Sequence, residues 1–536
     1  MKQIHEMTLE EKVGQLFMAG FQGTEPSENI TKLIRDFHIG GVIYFTRNVK
    51  NTKQVYELSS SLQKIAKDAG KHPLFISIDQ EGGMVARITE GVTLSPGNMA
   101  LGATGDKDAA YRLSKIVGKE LRALGVNMNF APCVDVNNNP LNPVIGVRSY
   151  GEDPRVVAEF GVEAVKGLQA EHVSAVSKHF PGHGDTNVDS HLDLPVIAHE
   201  LDRLESLELV PFKETFAHDV DGVMVAHINF KSIEPDNVPS TLSKRIVSGL
   251  LREKLGYEGV AMTDCMEMTA IIEYYGIEEA SIMAIEAGID IVLISHTFER
   301  QCKAMEAVKK AVENGRLTME QVDRSVARVL KLKGKRKLAE SVATWEEAAA
   351  LVGREEDLAV ARSVSEKSMT LVKDSGAFLP LSASENVLVV AVDPNVATEV
   401  DETLATKVTV GTYLKAALPH AEEVFVKVAP TEEAIDRIVK QAGDFDKVVV
   451  ATYQAVANPS QVELVRKLVL SFGDGVGVVA MRSPYDIGKF PEVGTYLVTY
   501  ESRALALESA SKVLLGKLEA TGKLPITLVD AKVNKG

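Results

Sequence analysis

The sequence predicts an α/β chain, an N-terminal (β/α)8 TIM-type barrel followed by a smaller αβα sandwich. Three observations predict it. Short apolar runs alternate with amphipathic stretches about eight times over the first 335 residues, and such alternation calls for parallel strands joined by crossover helices. Polar residues recur at the C-terminal ends of those runs, the face on which a barrel gathers its functional groups. Beyond a charged, alanine-rich stretch the alternation resumes in a shorter unit. A doubly wound sheet is the competing arrangement for the first unit. The expected division is a barrel over residues 1–335, a helical linker over 336–357 and a sandwich over 358–536.

The elements follow in chain order. Thr8 and Glu11 have the spacing of a capping box that opens a helix. Residues 14–21 read as a strand, ambiguous with helix. Apolar runs at 41–45, 73–79, 126–132, 175–179, 222–228, 259–264 and 290–295 read as the other seven strands. Helical periodicity marks 108–124, 156–171, 243–255 and 278–287 between them. The stretch 336–357 contains the only tryptophan, Trp345, and reads as a linking helix. Strands are then expected at 386–392, 423–428, 447–452, 475–481 and 495–500, with helices at 431–442 and 459–470. This second unit shows no Gly-rich phosphate loop and no catalytic constellation.

Composition narrows the function classes. The 536 residues include 59 Lys plus Arg against 74 Asp plus Glu, a net charge of −15. No basic cluster offsets that balance, so no nucleic-acid partner is expected. Three cysteines, Cys133, Cys265 and Cys302, do not make a disulfide framework. No apolar run reaches the length of a membrane span, and the N-terminus lacks the pattern of a signal peptide. A cytoplasmic protein is the expectation, with secretion left open if a signal has been removed.

Chemistry concentrates in four segments. The densest is SKHFPGHGDTNVDSHLDLP, residues 177–195. Lys178 and His179 end a strand, and Pro181, Gly182 and Gly184 then force a loop. Asp189 and His191 lie two apart, on one side of an extended backbone. There the carboxylate can orient the imidazole and balance its charge for proton transfer near neutral pH. Two other readings stay open: a metal site built on His179, His183 and His191, and a hydrogen-bonded loop without chemistry. In YEGVAMTDCMEM, residues 257–268, a strand delivers Asp264 to its C-terminal end. Such a carboxylate serves as nucleophile, metal ligand or helix cap; Cys265 beside it reads as a structural thiol. In FISIDQEGGMVAR, residues 75–87, Asp79 ends a strand and Gly82 and Gly83 allow a close turn under a ligand. The long loop over 129–154 carries Asp135, read as a loop-bracing carboxylate, and Arg148, a planar donor fork for hydroxyl or carbonyl oxygens. His227 ends another run.

In this order the segments resemble glycoside hydrolase family 3, and within it the bacterial β-N-acetylglucosaminidases. The matching stretches are IDQEGG with AR at 78–87, NFAPCVDV at 129–136, RSYGEDP at 148–154, KHFPGHGDTNVDSH at 178–191 and MTD at 262–264. GKLPITL at 522–528 ends a unit similar to the family's sandwich. The resemblance implies Asp264 as nucleophile and Asp189 with His191 as the acid/base dyad. It implies that Asp79, Lys178, His179 and Arg148 grip the hydroxyls of a terminal sugar, with Arg87 near the site. The implied activity is retaining exo-cleavage of N-acetylglucosamine from cell-wall fragments or chitin oligosaccharides, through a glycosyl-aspartate and without metal or cofactor. A phosphorylase on the same scaffold and a metal-dependent barrel hydrolase are the alternatives. Two departures stand out: Met84 where an arginine is frequent, and Cys265 where the family often has an acidic or small residue.

Overall fold

The computed structural model describes residues 2–186, 194–340, 343–376, 378–393 and 408–528. Among them, eight parallel strands close a barrel in chain order: β1 (Phe17–Gly20), β2 (Gly41–Tyr44), β3 (Phe75–Ile78), β4 (Met128–Asn129), β5 (Ser174–Phe180), β6 (Gly222–Val225), β7 (Val260–Cys265) and β8 (Ile291–Ile294). The ambiguous run at 14–21 is β1, which closes the ring by pairing with both β2 and β8. These strands read as apolar runs because helices cover their outer face while side chains fill the interior. Met18, Phe75, Val176, Met224, Met262 and Leu293 form that interior, joined by Val329 and Leu332 of the helix Met319–Lys335.

Strand β4 is shorter than its apolar run. Pro132 has no N–H for the ladder, yet its carbonyl still accepts from Lys178 N at 3.2 Å, and Val134 N reaches the Lys178 carbonyl at 2.9 Å. The run therefore continues beside β5 without regular pairing.

The stretch 336–357 is not one continuous helix, contrary to the sequence reading. It contains the short helix Trp345–Ala349, opened by a Thr344–Glu347 capping box. Gly353, at φ +60°, separates this turn from the helix Glu355–Ser368. A Cβ at Gly353 would sit 2.8 Å from the Gly91 carbonyl oxygen, so the backbone approaches the barrel where a helical side chain would clash. Trp345 packs on Tyr56 at 5.6 Å between ring centroids.

The second unit is a six-stranded sheet among the described residues, with strands β9 (Thr370–Asp374), β10 (Val387–Val392), β11 (Ala421–Val426), β12 (Lys447–Thr452), β13 (Val476–Ala480) and β14 (Thr495–Val498). Their spatial order is β9-β14-β13-β12-β10-β11, parallel throughout except for β9 against β14. The sequence reading finds the five parallel strands and misses β9, an edge strand whose TLVKD carries too few apolar residues to stand out. The core of this unit takes in Met84, Met99, Ala103 and Val147 from the barrel side, so the two units share an apolar contact. Among the described residues no helix is long and apolar enough to cross a membrane.

Candidate active site

The site lies where the barrel strands end. Asp79 follows β3 directly, and the chain then folds into a narrow ladder pairing Gln80–Gly82 with Val85–Ala86. Gln80 ties this ladder shut: its Oε1 accepts from Arg87 N at 3.0 Å, and its Nε2 donates to the Ile88 carbonyl at 2.7 Å. Gly82 turns at φ +100°, and a Cβ there would meet Ser95 Cβ at 2.6 Å, so the turn requires glycine. The result is a rigid platform that presents Asp79, Glu81 and Arg87 to one cavity.

Charged groups interlock on that platform. Lys178 donates from Nζ to Asp79 Oδ1 and Glu81 Oε1, each at 2.7 Å. Arg148 forks onto Glu81 through Nη2 at 2.8 Å and Nε at 3.0 Å. Arg87 Nη2 stands 3.4 Å from Asp79 Oδ2. Burial opposes ionisation of Glu81, but the Arg148 guanidinium and Lys178 ammonium outweigh it and hold the carboxyl well below the usual range. Asp79 is likewise lowered: Lys178 and Arg87 overcome burial and the Glu81 charge. Burial would also favour neutral Lys178, but Asp79 and Glu81 raise it and keep it charged. These are charge-assisted bonds with fixed geometry, suited to recognising hydroxyl groups from both sides.

A second layer holds the histidines. Asp135 Oδ2 faces His179 Nδ1 at 2.7 Å, and its Oδ1 accepts from the backbone N–H of His183 at 2.6 Å. Burial raises the Asp135 carboxyl, yet His179 and His183 bring it down to about 2. The loop-bracing reading of Asp135 therefore holds, with His179 as the braced group. His179 Nε2 lies 3.4 Å from Arg148 Nη2. With Asp135 on Nδ1 and Arg148 on Nε2, both ring nitrogens of His179 are engaged, which argues against the metal reading at His179. Burial, with His179 nearby, lowers His183 to about 4, and its Nδ1 pairs with Thr186 Oγ1 at 2.9 Å.

Asp264 sits near the end of β7, where a register shift against β8 separates Met262 from Cys265. Its Oδ1 accepts from Cys265 N at 2.7 Å. His227 braces this backbone from outside the cavity, with Nε2 2.9 Å from the Cys265 carbonyl and Nδ1 2.7 Å from Thr241 Oγ1. Burial pushes the Cys265 thiol up to about 11, so the free side chain carries its proton at neutral pH.

Asp79, Arg87, Arg148, Lys178, His179 and Asp264, six residues singled out from the sequence, line one cavity of about 540 Å³. Asp189 and His191 lie outside the described residues. Sequence reasoning missed Glu81, although the signal was present: Asp79 and Glu81 are two apart at a strand end, as Asp189 and His191 are in their loop. It also missed Glu267, His296 and the rim residues Phe45 and Arg47, which line the same cavity. Met84 is buried in the core shared with the second unit. Arg503 of that unit donates from Nε to the Gly83 carbonyl at 2.5 Å.

Comparison with known proteins gives the family. Residues 8–332 match the family described as Glycosyl hydrolase family 3 N terminal domain. A protein named "Beta-hexosaminidase A" from Pseudoalteromonas piscicida is 34% identical over 557 residues, covering 94% of this chain and 92% of that one. One named "Beta-hexosaminidase" from Xylella fastidiosa is 35% identical over 287 residues, 52% of this chain and 83% of its own length. Among solved structures, a glycoside hydrolase family 3 beta-N-acetylglucosaminidase from Paenibacillus sp. str. FPU-7 is 47% identical, with TM-score 0.94, covering 98% of this chain and 99% of that one.

Proposed function

The chain belongs to glycosyl hydrolase family 3, and from that premise we propose that it is a retaining exo-β-N-acetylglucosaminidase acting on the non-reducing end of cell-wall fragments or chitin oligosaccharides. The observation that carries this reading is the meeting of Asp264 with Asp79, Arg148, Lys178 and His179 around one cavity at the C-terminal face of the barrel. Fixed charges on one side and a carboxylate on another give a sugar ring a grip and an attacking atom.

Retention follows from two displacements. Asp264 attacks the anomeric carbon, the bond to the leaving oxygen breaks, and a glycosyl-aspartate forms. His191 donates its proton to that oxygen as it departs. The imidazole then takes a proton from water, which attacks the same carbon and restores Asp264. Asp189 orients His191 and balances its charge in the protonated state, as an aspartate does for a catalytic histidine elsewhere. Arg148, Lys178, Asp79 and His179 bind the ring hydroxyls, and Arg87 supports Asp79.

The test combines trapping with product analysis. A slow fluorosugar donor should label Asp264, read by peptide mass spectrometry, and Asp264→Ala should abolish turnover of aryl β-N-acetylglucosaminides. Label on any other residue, or activity in Asp264→Ala, refutes the assignment. Products from chitobiose and from GlcNAc–MurNAc fragments, with and without phosphate, identify substrate and acceptor; a sugar 1-phosphate would replace hydrolysis by phosphorolysis.

A further inference from the structure

Beside the nucleophile position lies a second group of side chains that glycoside cleavage does not use. Cys265 directly follows Asp264, Glu267 occupies the turn after β7, and His296 lies two residues beyond β8. A thiol sulfur, a carboxylate oxygen and an imidazole nitrogen from these three lie within 4.8 Å of one another. All three line the cavity, and His296 is exposed at its mouth.

We propose that Cys265, Glu267 and His296 form a binding site for one thiophilic divalent cation, zinc or cadmium, whose occupancy blocks the cavity beside Asp264.

The donor set selects the cation. One thiolate, one imidazole and one carboxylate suit a borderline-soft metal and offer little to calcium or magnesium, which take oxygen ligands. Three protein ligands leave the fourth tetrahedral position to water on the cavity side. The supports are already in place. Glu267 Oε2 accepts from His296 N at 2.6 Å and Thr297 N at 3.3 Å, and Oε1 from Arg300 Nη1 at 3.3 Å. Those bonds fix the carboxylate and leave lone pairs for a metal. The His296 ring packs against Phe45 at 5.4 Å, which limits its rotation. Adjacent parallel strands, β7 and β8, therefore set the spacing of the sulfur and the imidazole. Binding forms a metal–sulfur bond and breaks the S–H bond, releasing one proton to solvent while the metal keeps its oxidation state. The inhibitory part rests on the assignment of Asp264 as nucleophile; the binding part does not.

Cobalt(II) is the first probe, because thiolate–cobalt bonds give a charge-transfer absorption independent of turnover. Titration of the full chain should saturate at one equivalent, and zinc should displace the cobalt. Cys265→Ser should remove the charge-transfer band. His296→Ala, at an exposed position, should retain the band and weaken zinc binding about tenfold or more. Zinc should inhibit aryl glycoside hydrolysis by the wild type, with recovery on chelation, and the residual activity of either variant should resist the same zinc concentration. No stoichiometric binding, or binding unchanged in both variants, overturns the site. So does binding lost in His191→Ala but retained in Cys265→Ser, which places the ion on the acid/base loop. Stoichiometric binding without inhibition keeps the metal site and refutes the blocking role.

Discussion

Arg503 donates from Nε to the Gly83 carbonyl at 2.5 Å, across 420 residues of chain. The turn it holds is the one that presents Glu81 to Arg148 and Lys178. The sandwich thus contacts the platform of the proposed sugar site through a buried guanidinium.

Replacing Arg503 with Ala removes that donor and leaves a buried carbonyl short of a partner, at a cost of about 1–3 kcal/mol. The platform loosens with it. Steady-state kinetics should show KM rising more than kcat falls, with a lower unfolding midpoint, and Arg503→Lys should recover part of both. Unchanged KM with reduced stability would leave Arg503 a purely structural contact.

Glu81→Gln takes one negative charge from a cluster that includes Lys178 and Arg148. Removing one member of a buried ion pair costs about 3–5 kcal/mol because the partner charge stays buried. Urea unfolding should show a loss of that order, and kcat/KM should fall at least tenfold. A neutral effect on both would mean that Asp79 alone balances the two cations.

The contribution of His183 to stability should fall between pH 6.5 and pH 4. His183 is lowered by burial to about 4 in the folded state from 6.5. In that window this ring binds a proton in the unfolded chain and not in the folded one, so its contribution to stability rises with pH, while Asp486 and Glu501, which burial raises to about 6 and about 8, act in the opposite direction. A shift of this size corresponds to about 3 kcal/mol, present above pH 6.5 and lost as pH falls toward 4. His72, also lowered to about 4, first by burial and then by Lys333, acts in the same direction. Between pH 6.5 and pH 4 the urea midpoint should drop more for the wild type than for His183→Gln, which lacks the titrating ring.

Leaving groups separate the roles of His191 and Asp264. Loss of the proton donor matters most when the departing oxygen is basic. His191→Ala should therefore cripple chitobiose cleavage far more than cleavage of activated aryl glycosides. Equal activity of wild type and variant on both substrates refutes the dyad.

Exhaustive chelation should leave turnover intact, since the proposed chemistry uses carboxylate and imidazole alone. Activity rates before and after dialysis against a strong chelator measure this directly. Loss of activity, restored by metal, would favour the metal-dependent reading.

The sequence by itself determined seven of the eight barrel strands, with the first left ambiguous with helix, the five parallel strands of the sandwich and six residues that line the cavity. It did so because burial on both faces leaves an unbroken apolar run, and the residue that ends such a run in a barrel points to one shared face. Tertiary structure decided the partners. Arg148 and Glu81 are 67 residues apart, and no local pattern pairs them. The Gly353 break, the shortened β4 and the edge strand β9 likewise depend on which backbone or proline lies alongside. Periodicity records that a side chain is buried; only packing across the chain determines what it is buried against.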